Sequence, residues 1–551
     1  MKRLSPRHCS LKVLSLAVIV LTTGTLYAQT PTITSFTPAS GPIGTTVTIA
    51  GTNFDVTSAN NVVWFGAVKA TVIAASATEL QVTVPTGATY QPITVTTNGL
   101  TAYSGATFNT TFSSTRIIDA TTLASKVDFS TGTNPFHAVI TDLDGDGKPD
   151  LIFTNQGSNT VSILRNTSTP GFFFGGSFES KWDLACGAYP IGIAVGDIDG
   201  DGKQDIAVAN FLNNSVSVFR NTSTPGSFGV GSFAAKVDFP TGSNPYAVAI
   251  RDIDGDGKPD LSVTNDFSSS VSVLRNTSTS GSIDAGSFAA KVDFTTGTNV
   301  RAVIIGDIDI DGKPDLITGS YNDHTFSVLR NTSTPGSIDG SSFAAKVDFP
   351  SATSTYAAAL GDIDGDDKPD LIFSSINDNT ISIYRNTSMP GFITAGSFAD
   401  RVDFTTGAFP SSISIGDLDG NNKPDIAVTN LHSNTVSLFR NKCTTGSITT
   451  SSLEGRVDFS TWTYPSSVAI GDIDGDLKPD ITVINSNSNV VSVFRNIIPQ
   501  PEPPVINSFT PTSGPVGTTV TITGTNFSTT ASDNIVWFGA VKAAVTNATQ
   551  T

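Results

Sequence analysis

The sequence predicts an all-β protein. Its centre is a seven-bladed β-propeller with metal-binding loops, with one β-sandwich before it and a truncated second sandwich after it. Three observations carry this. First, a nine-residue acidic stretch, residues 142–150, recurs with starts at Asp197, Asp252, Asp307, Asp362, Asp417 and Asp472, each 55 residues after the last. Seven copies at one fixed period of this length mark a closed repeat architecture. Second, each period holds four short strand-like segments separated by turn residues. Third, no long helical periodicity occurs outside the N-terminus, and abundant Thr, Ser, Asn and Val with 49 Gly and 29 Pro suit short strands and turns.

Residues 1–28 read as an export signal. Lys2, Arg3, Arg7 and Lys12 form a basic leader, residues 13–21 are apolar but too short to span a bilayer, and small residues lead to a cleavage point after Ala28. Residues 29–112 read as a small sandwich. The turn Ser40, Gly41, Pro42 precedes an alternating segment from Thr46, and Trp64-Phe65-Gly66, Leu80 to Val84 and Ile93 to Thr96 continue the strand pattern. The stretches Ser40-Gly41-Pro42, Gly51-Thr52-Asn53-Phe54 and Trp64-Phe65-Gly66 resemble the IPT/TIG immunoglobulin-like family. In exported proteins such a resemblance implies a spacer or an adhesive element. A polar linker, 113–122, follows.

The repeats occupy 123–496. In the third, the segment from Pro245 is a first strand running into the acidic loop. Leu261 opens a second, Ser270 a third and Phe288 a fourth. A fourth-strand copy at 123–130 precedes the first loop, and the last repeat ends after its third strand. The first strand in sequence is therefore expected to complete the last blade and close the ring, which removes the open sheet edge. Residues 497–504 are a Pro-rich spacer. Residues 505–551 repeat the IPT/TIG-like signature in Ser513-Gly514-Pro515, Gly524-Thr525-Asn526-Phe527 and Trp537-Phe538-Gly539. They stop before the later strands, so the sequence reads as a piece of a longer polypeptide whose half sandwich exposes core.

Each loop carries hard oxygen donors at positions 1, 3, 5, 7 and 9, with a Lys offering its backbone carbonyl at 7 and its side chain turned out. The sets are Asp142, Asp144, Asp146, Lys148 and Asp150; Asp197, Asp199, Asp201, Lys203 and Asp205; Asp252, Asp254, Asp256, Lys258 and Asp260; Asp307, Asp309, Asp311, Lys313 and Asp315. The last three are Asp362, Asp364, Asp366, Lys368 and Asp370; Asp417, Asp419, Asn421, Lys423 and Asp425; and Asp472, Asp474, Asp476, Lys478 and Asp480. So many carboxylates in nine residues repel one another without a counter-ion, and an all-oxygen set suits Ca²⁺, up to seven structural ions. The loop is not an EF-hand: position 12 is Phe153 and the flanks are β-rich. It resembles the loops of FG-GAP/VCBS repeats and of the integrin α-chain propeller, which implies a calcium-bound adhesion fold. Position 6 needs a residue tolerant of positive φ. It is Gly in four loops but Asp367, Asn422 and Leu477 in the others, so the sixth and seventh loops are expected to bind more weakly.

The net charge of −17 excludes nucleic acid and anionic membrane as partners. Four Asp in each of seven loops, less one at Asn421, account for 27 of the 48 acidic residues, so the acidity reads as metal demand. Cys186 and Cys443 fall at different repeat positions and are expected to stay unpaired. His137, His324 and His432 are scattered, and no catalytic motif is present, so the chain reads as a non-enzyme. Seven Arg at third-strand ends (Arg165, Arg220, Arg275, Arg330, Arg385, Arg440, Arg495) and seven Asp on fourth strands (Asp128, Asp183, Asp238, Asp293, Asp348, Asp403, Asp458) are expected to pair across strands. A candidate ligand face opposite the loops is marked by Phe136, Tyr189, Tyr246, Arg301, Tyr356, Phe409 and Tyr464, just before each first strand. The expected function is an exported, calcium-stabilised adhesion or interaction protein at the cell surface or beyond, binding an extracellular protein or polysaccharide. The alternatives are a lectin-like propeller and the recognition part of a larger secreted enzyme.

Overall fold

The computed structural model describes residues 29–114, 117–229, 231–500, 504–531, 534–539 and 541–549; the stretch read as an export signal, 1–28, lies outside the described residues. Among the described residues no helix is long and apolar enough to cross a membrane.

Seven four-stranded antiparallel sheets form the propeller. In the third blade, strands Pro245–Arg251, Asp260–Asn265, Ser270–Leu274 and Val292–Thr295 follow one another from the axis outward. The first strands of neighbouring blades touch around the ring, which places them at the axis. Second and third strands are buried along almost their whole length, because each blade packs face to face on the next. One apolar cluster, for example, joins Val216 and Val218 of the second blade to Leu261 and Val263 of the third. The ring closes as the repeat phase requires: Val127–Ser130 pairs with Val490–Phe494, setting Phe129 opposite Val491.

In the N-terminal domain seven strands wrap one core of Val47, Ile49, Phe65, Leu80, Val82, Ile93, Val95 and Phe108. This domain sits on the loop end of the propeller. Ala67 accepts from the backbone N–H of Asp142 (2.8 Å), and Thr101 N–H donates to the Gly257 carbonyl (2.7 Å). The Tyr90 hydroxyl accepts from the Asp362 N–H (3.2 Å), and the Thr111 hydroxyl donates to Asp417 (2.5 Å). The backbone of Gly200 lies so close to Gly99 that a Cβ there would meet its carbonyl oxygen at 2.3 Å. The stretch read as a polar linker is partly packed: Ile118 joins Leu123, Leu418, Ile470 and Ile481 in a core cluster. Its short polar run hides one apolar side chain that the sixth and seventh blades bury.

In the C-terminal segment Val505–Thr510 pairs with Thr521–Thr525, and Val536–Phe538 with Val541–Ala543. Val516, Trp537 and Phe538 are exposed. Cys186 and Cys443 are both free.

Candidate metal centres and the opposite face

Each acidic loop joins the first and second strands of a blade and winds its carboxylates inward by bonding its own backbone. In the first loop Asp142 accepts from the N–H groups of Asp146 (3.0 Å) and Gly147 (2.9 Å), and Asp146 from that of Lys148 (2.9 Å). Asp150 accepts from Leu143 (3.0 Å) and Asn166 (2.8 Å), tying the loop to the end of the third strand. Position 6 has positive φ in all seven loops, from 66° at Asp367 and Asn422 through 73° at Leu477 to 87° at Gly147. Position 4 does too, and there the fourth loop has Ile310 at φ 53° where the others have Gly. A β-branched residue in that region is strained, a departure that the sequence reading passed over.

The carboxylates converge. Asp142, Asp144 and Asp146 place one oxygen each within 4.8 Å of one another, as do Asp197, Asp199 and Asp205, and equivalent sets in the other loops. Burial, reinforced by the neighbouring carboxylates, pushes Asp142, Asp197, Asp252 and Asp472 up to about 7, and Asp315 and Asp370 up to about 8. One carboxylate oxygen each of Asp197, Asp309 and Asp364 is buried without a hydrogen-bond partner. Orphaned anionic oxygens in an all-oxygen cluster are what a hard cation relieves, so the residues present fit a bound metal ion.

The Lys side chains at position 7 are not turned out. Lys148 Nζ reaches the Ser168 carbonyl (2.9 Å), and five of the other six make the equivalent contact, from Lys203 to Ser223 through Lys423 to Cys443. Lys478 pairs with Asp476 instead.

The seven Arg do not pair with the fourth-strand Asp. Arg165 binds Asp144 and Asp146 (2.7 Å) of its own loop; Arg220, Arg275, Arg330 and Arg495 repeat the pattern, Arg440 holds Asp419 of its loop and Glu454 outside it, and Arg385 reaches Asp366. The register explains it. Asp183 lies opposite Ser162, three residues and so about 10 Å along the strand from Arg165. The fourth-strand Asp instead accept from these Ser hydroxyls, as Asp183 does from Ser162 (2.6 Å), and six of them pair with the Lys or Arg two residues before, as Asp183 does with Lys181, whereas Asp128 accepts from the Trp462 indole (2.7 Å).

A residue that the sequence reading missed follows each Arg. Asn221 Nδ2 donates to the carbonyl of Gln204 in its own loop (3.0 Å) and to that of Leu143 in the previous blade's loop (2.8 Å). Asn276, Asn331, Asn386, Asn441, Asn496 and Asn166 do the same with position 2 of the preceding loop. The recurrence of Arg-Asn at one offset was the available signal.

The seven residues proposed for the opposite face divide into two sets. Phe136, Tyr246, Arg301 and Tyr356 stand six residues before their loops, at a β-bulge of the first strand, and gather at the axis. There the hydroxyls of Tyr246 and Tyr356 lie 2.7 Å apart, Phe136 meets Tyr246 edge-on, and Arg301 lies over Tyr246, Tyr356 and Tyr321. Tyr189, Phe409 and Tyr464 stand eight before, at positive φ, where the other blades have Asn134, Asn244, Asn299 and Ser354. Tyr189 and Tyr464 are 37% and 39% exposed. Tyr189 packs on Phe211, which packs on the exposed Phe267; Phe409 and Tyr464 flank His432. Desolvation in its part-buried site pulls His137 down to about 4.

Comparison with known proteins agrees with this architecture. The profile of the FG-GAP-like repeat matches residues 142–208, 197–263, 252–318, 311–373 and 368–428, and that of the IPT/TIG domain matches 31–114 and 504–551. No curated protein matches the chain significantly. Among solved structures it is similar to an auxiliary nutrient binding protein from Bacteroides thetaiotaomicron (12% identity over 85% of this chain and 98% of that chain, TM-score 0.30). An auxiliary nutrient binding protein from Bacteroides ovatus gives 12% identity, 85% and 98% coverage and a TM-score of 0.35. BBS1N, solved in complex with ARL6DN, gives 11% identity, 68% and 97% coverage and a TM-score of 0.45. Overlapping repeat matches across more than half of the chain, on seven blades with one loop geometry, make this protein a member of the FG-GAP-like repeat family with an IPT/TIG domain at each end.

Proposed function

We propose that the protein is an exported binding module, stabilised by Ca²⁺ in its loops, that holds an extracellular protein or glycan on the propeller face turned away from the N-terminal domain. One observation carries the choice of face. The N-terminal domain lies across the loop end, hydrogen-bonded to the first, third, fifth and sixth loops, which leaves the far face free for a partner. In this reading Asp142, Asp144, Asp146, the Lys148 carbonyl and Asp150, and their equivalents, hold the ion that ties two strands of each blade together.

A glycan is favoured among the partners by the exposed rings of Tyr189, Phe267, Trp462 and Tyr464, set among the amide- and hydroxyl-rich turns of that face. Flat apolar faces beside amides suit the stacking of sugar rings. A glycan array probed with the calcium-loaded chain tests it. Binding lost in Tyr189→Ala and Tyr464→Ala, with unchanged melting, is expected; binding that survives both changes places the partner elsewhere.

A further inference from the structure

Where the N-terminal domain spans the mouth of the propeller channel, the two line a chamber of about 930 Å³ that stays partly open to solvent. That volume suits a small organic ligand. One wall belongs to the domain. Trp64 lies opposite Thr94, and Thr94 opposite Tyr103, on three adjacent strands, so the three form one cross-strand row on the chamber side. The other wall is built from the ends of the innermost strands.

This second wall breaks the symmetry of the ring at one point. The residue just before the loop is Gly196, Gly306, Gly361, Gly416 and Gly471 in five blades and Thr141 in the first; in the third it is Arg251. Its guanidinium lies over the Tyr103 ring, 4.9 Å from the centroid, and donates to the Ser104 carbonyl at 3.3 Å. Among the described residues it makes no ion pair, whereas all seven third-strand Arg are paired with loop carboxylates. A largely enclosed guanidinium without a carboxylate is costly unless an anion joins it. In the facing wall the indole N–H of Trp64, on a side chain 3% exposed, is buried without an acceptor. Asp197, Asp307, Asp362 and Asp364 also border the chamber, but each is a ligand of its loop; Asp367, which is not, stands there with Lys368 and Lys423. The inference therefore rests on the metal reading above, in which the charge of those ligands is committed to the loop ions.

We propose that the chamber binds a small organic carboxylate with a ring body, its carboxylate on Arg251 and its ring against Trp64 and Tyr103. A guanidinium receives a carboxylate through two parallel hydrogen bonds, and aromatic side chains pack on a sugar or aryl ring. This site is separate from the outer face, and the N-terminal domain is part of it.

The test uses the full chain saturated with Ca²⁺, the bound ions counted by native mass spectrometry on the same sample. Glucuronate, benzoate and neutral glucose are titrated by calorimetry. The expected result is one site per chain for glucuronate or for benzoate, the two arms separating a sugar acid from an aryl acid, and none for glucose. Arg251→Gly installs the residue that five other blades carry, so it should fold, and it lowers that affinity at least tenfold. Trp64→Phe lowers it severalfold. The inference is overturned if neither carboxylate binds at millimolar concentration to ion-loaded protein, if glucose binds as well as glucuronate, or if Arg251→Gly binds unchanged. Binding through Arg251 to a chain whose loops hold no ions would keep the chamber and overturn the metal reading.

Discussion

The side-chain amide of Asn166 donates to the carbonyl of Ile473 at 2.7 Å, across 307 residues of sequence. It is the link that carries the ladder of loop-to-loop hydrogen bonds across the seam between the last blade and the first. Asn166 is fully buried and also holds the Pro149 carbonyl (2.9 Å). Asn166→Ala takes the amide donor from both buried carbonyls, leaving that of Pro149 unpaired and that of Ile473 with only the longer Ser168 hydroxyl contact (3.4 Å), a cost of about 2–4 kcal/mol. Urea unfolding should show this as a lower midpoint. Asn331→Ala, inside the ring, should cost a similar amount at equilibrium but speed unfolding less, because only the seam joins the two ends of the repeat region. Equal unfolding rates for the two variants would remove the special role of the seam.

The loops should not be equal. Asn421 leaves the sixth with one charge fewer, and Arg440 there holds only Asp419 of the loop carboxylates, its other partner being Glu454. The seventh carries Leu477 at φ 73°, and the fourth Ile310 at φ 53°. Ca²⁺ titration should give a tight class and a weaker class that includes the sixth and seventh sites. Asn421→Asp should strengthen the sixth, and Leu477→Gly the seventh. Seven identical affinities would contradict this.

Metal-free protein should lose stability as pH rises. Burial first, and neighbouring carboxylates second, raise Asp142, Asp197, Asp252 and Asp472 to about 7 and Asp315 and Asp370 to about 8. An unfolded Asp titrates near 3.9. A folded value above the unfolded one favours the folded state fully at low pH, and that contribution fades as pH climbs through the folded value. With chelator present, melting temperature should therefore fall between about pH 5 and 8. With saturating Ca²⁺ that fall should disappear, and Ca²⁺ affinity should rise across the same window as protons stop competing. A chelated protein that melts higher at pH 8 than at pH 5 would count against the buried-carboxylate account.

The two aromatic sets should respond differently to truncation. Tyr246 and Tyr356 meet at the axis with Arg301 and Phe136, so Tyr246→Ala should lower the melting temperature by several degrees. Tyr189→Ala and Tyr464→Ala remove half-exposed rings and should leave melting within about one degree. Circular dichroism melts of the three variants decide it.

The propeller was legible because its evidence is periodic. A fixed interval and a phase offset determine blade number and ring closure, as the pairing of Phe129 with Val491 bears out. The Arg pairing was misread because strand offset, not strand membership, decides which charges meet. Arg165 lies level with its loop, and Asp183 lies three residues away. The split of the aromatic face was present in the sequence as a count of six or eight residues back from the loop. The docking of the N-terminal domain was not, since it uses a backbone carbonyl at Ala67, a backbone N–H at Thr101 and hydroxyls at Tyr90 and Thr111. Such groups occur throughout the chain and carry no pattern.

The docked domain also gives the ring a zero mark. Seven near-copies about one axis have interchangeable orientations, but with Ala67 fixed on the first loop and Thr111 on the sixth, each blade acquires a distinct bearing. Single departures such as Arg251, Ile310 and Asn421 therefore stand at set compass points relative to an off-axis landmark. A repeat built by copying has become a dial on which one substitution can be addressed to one place.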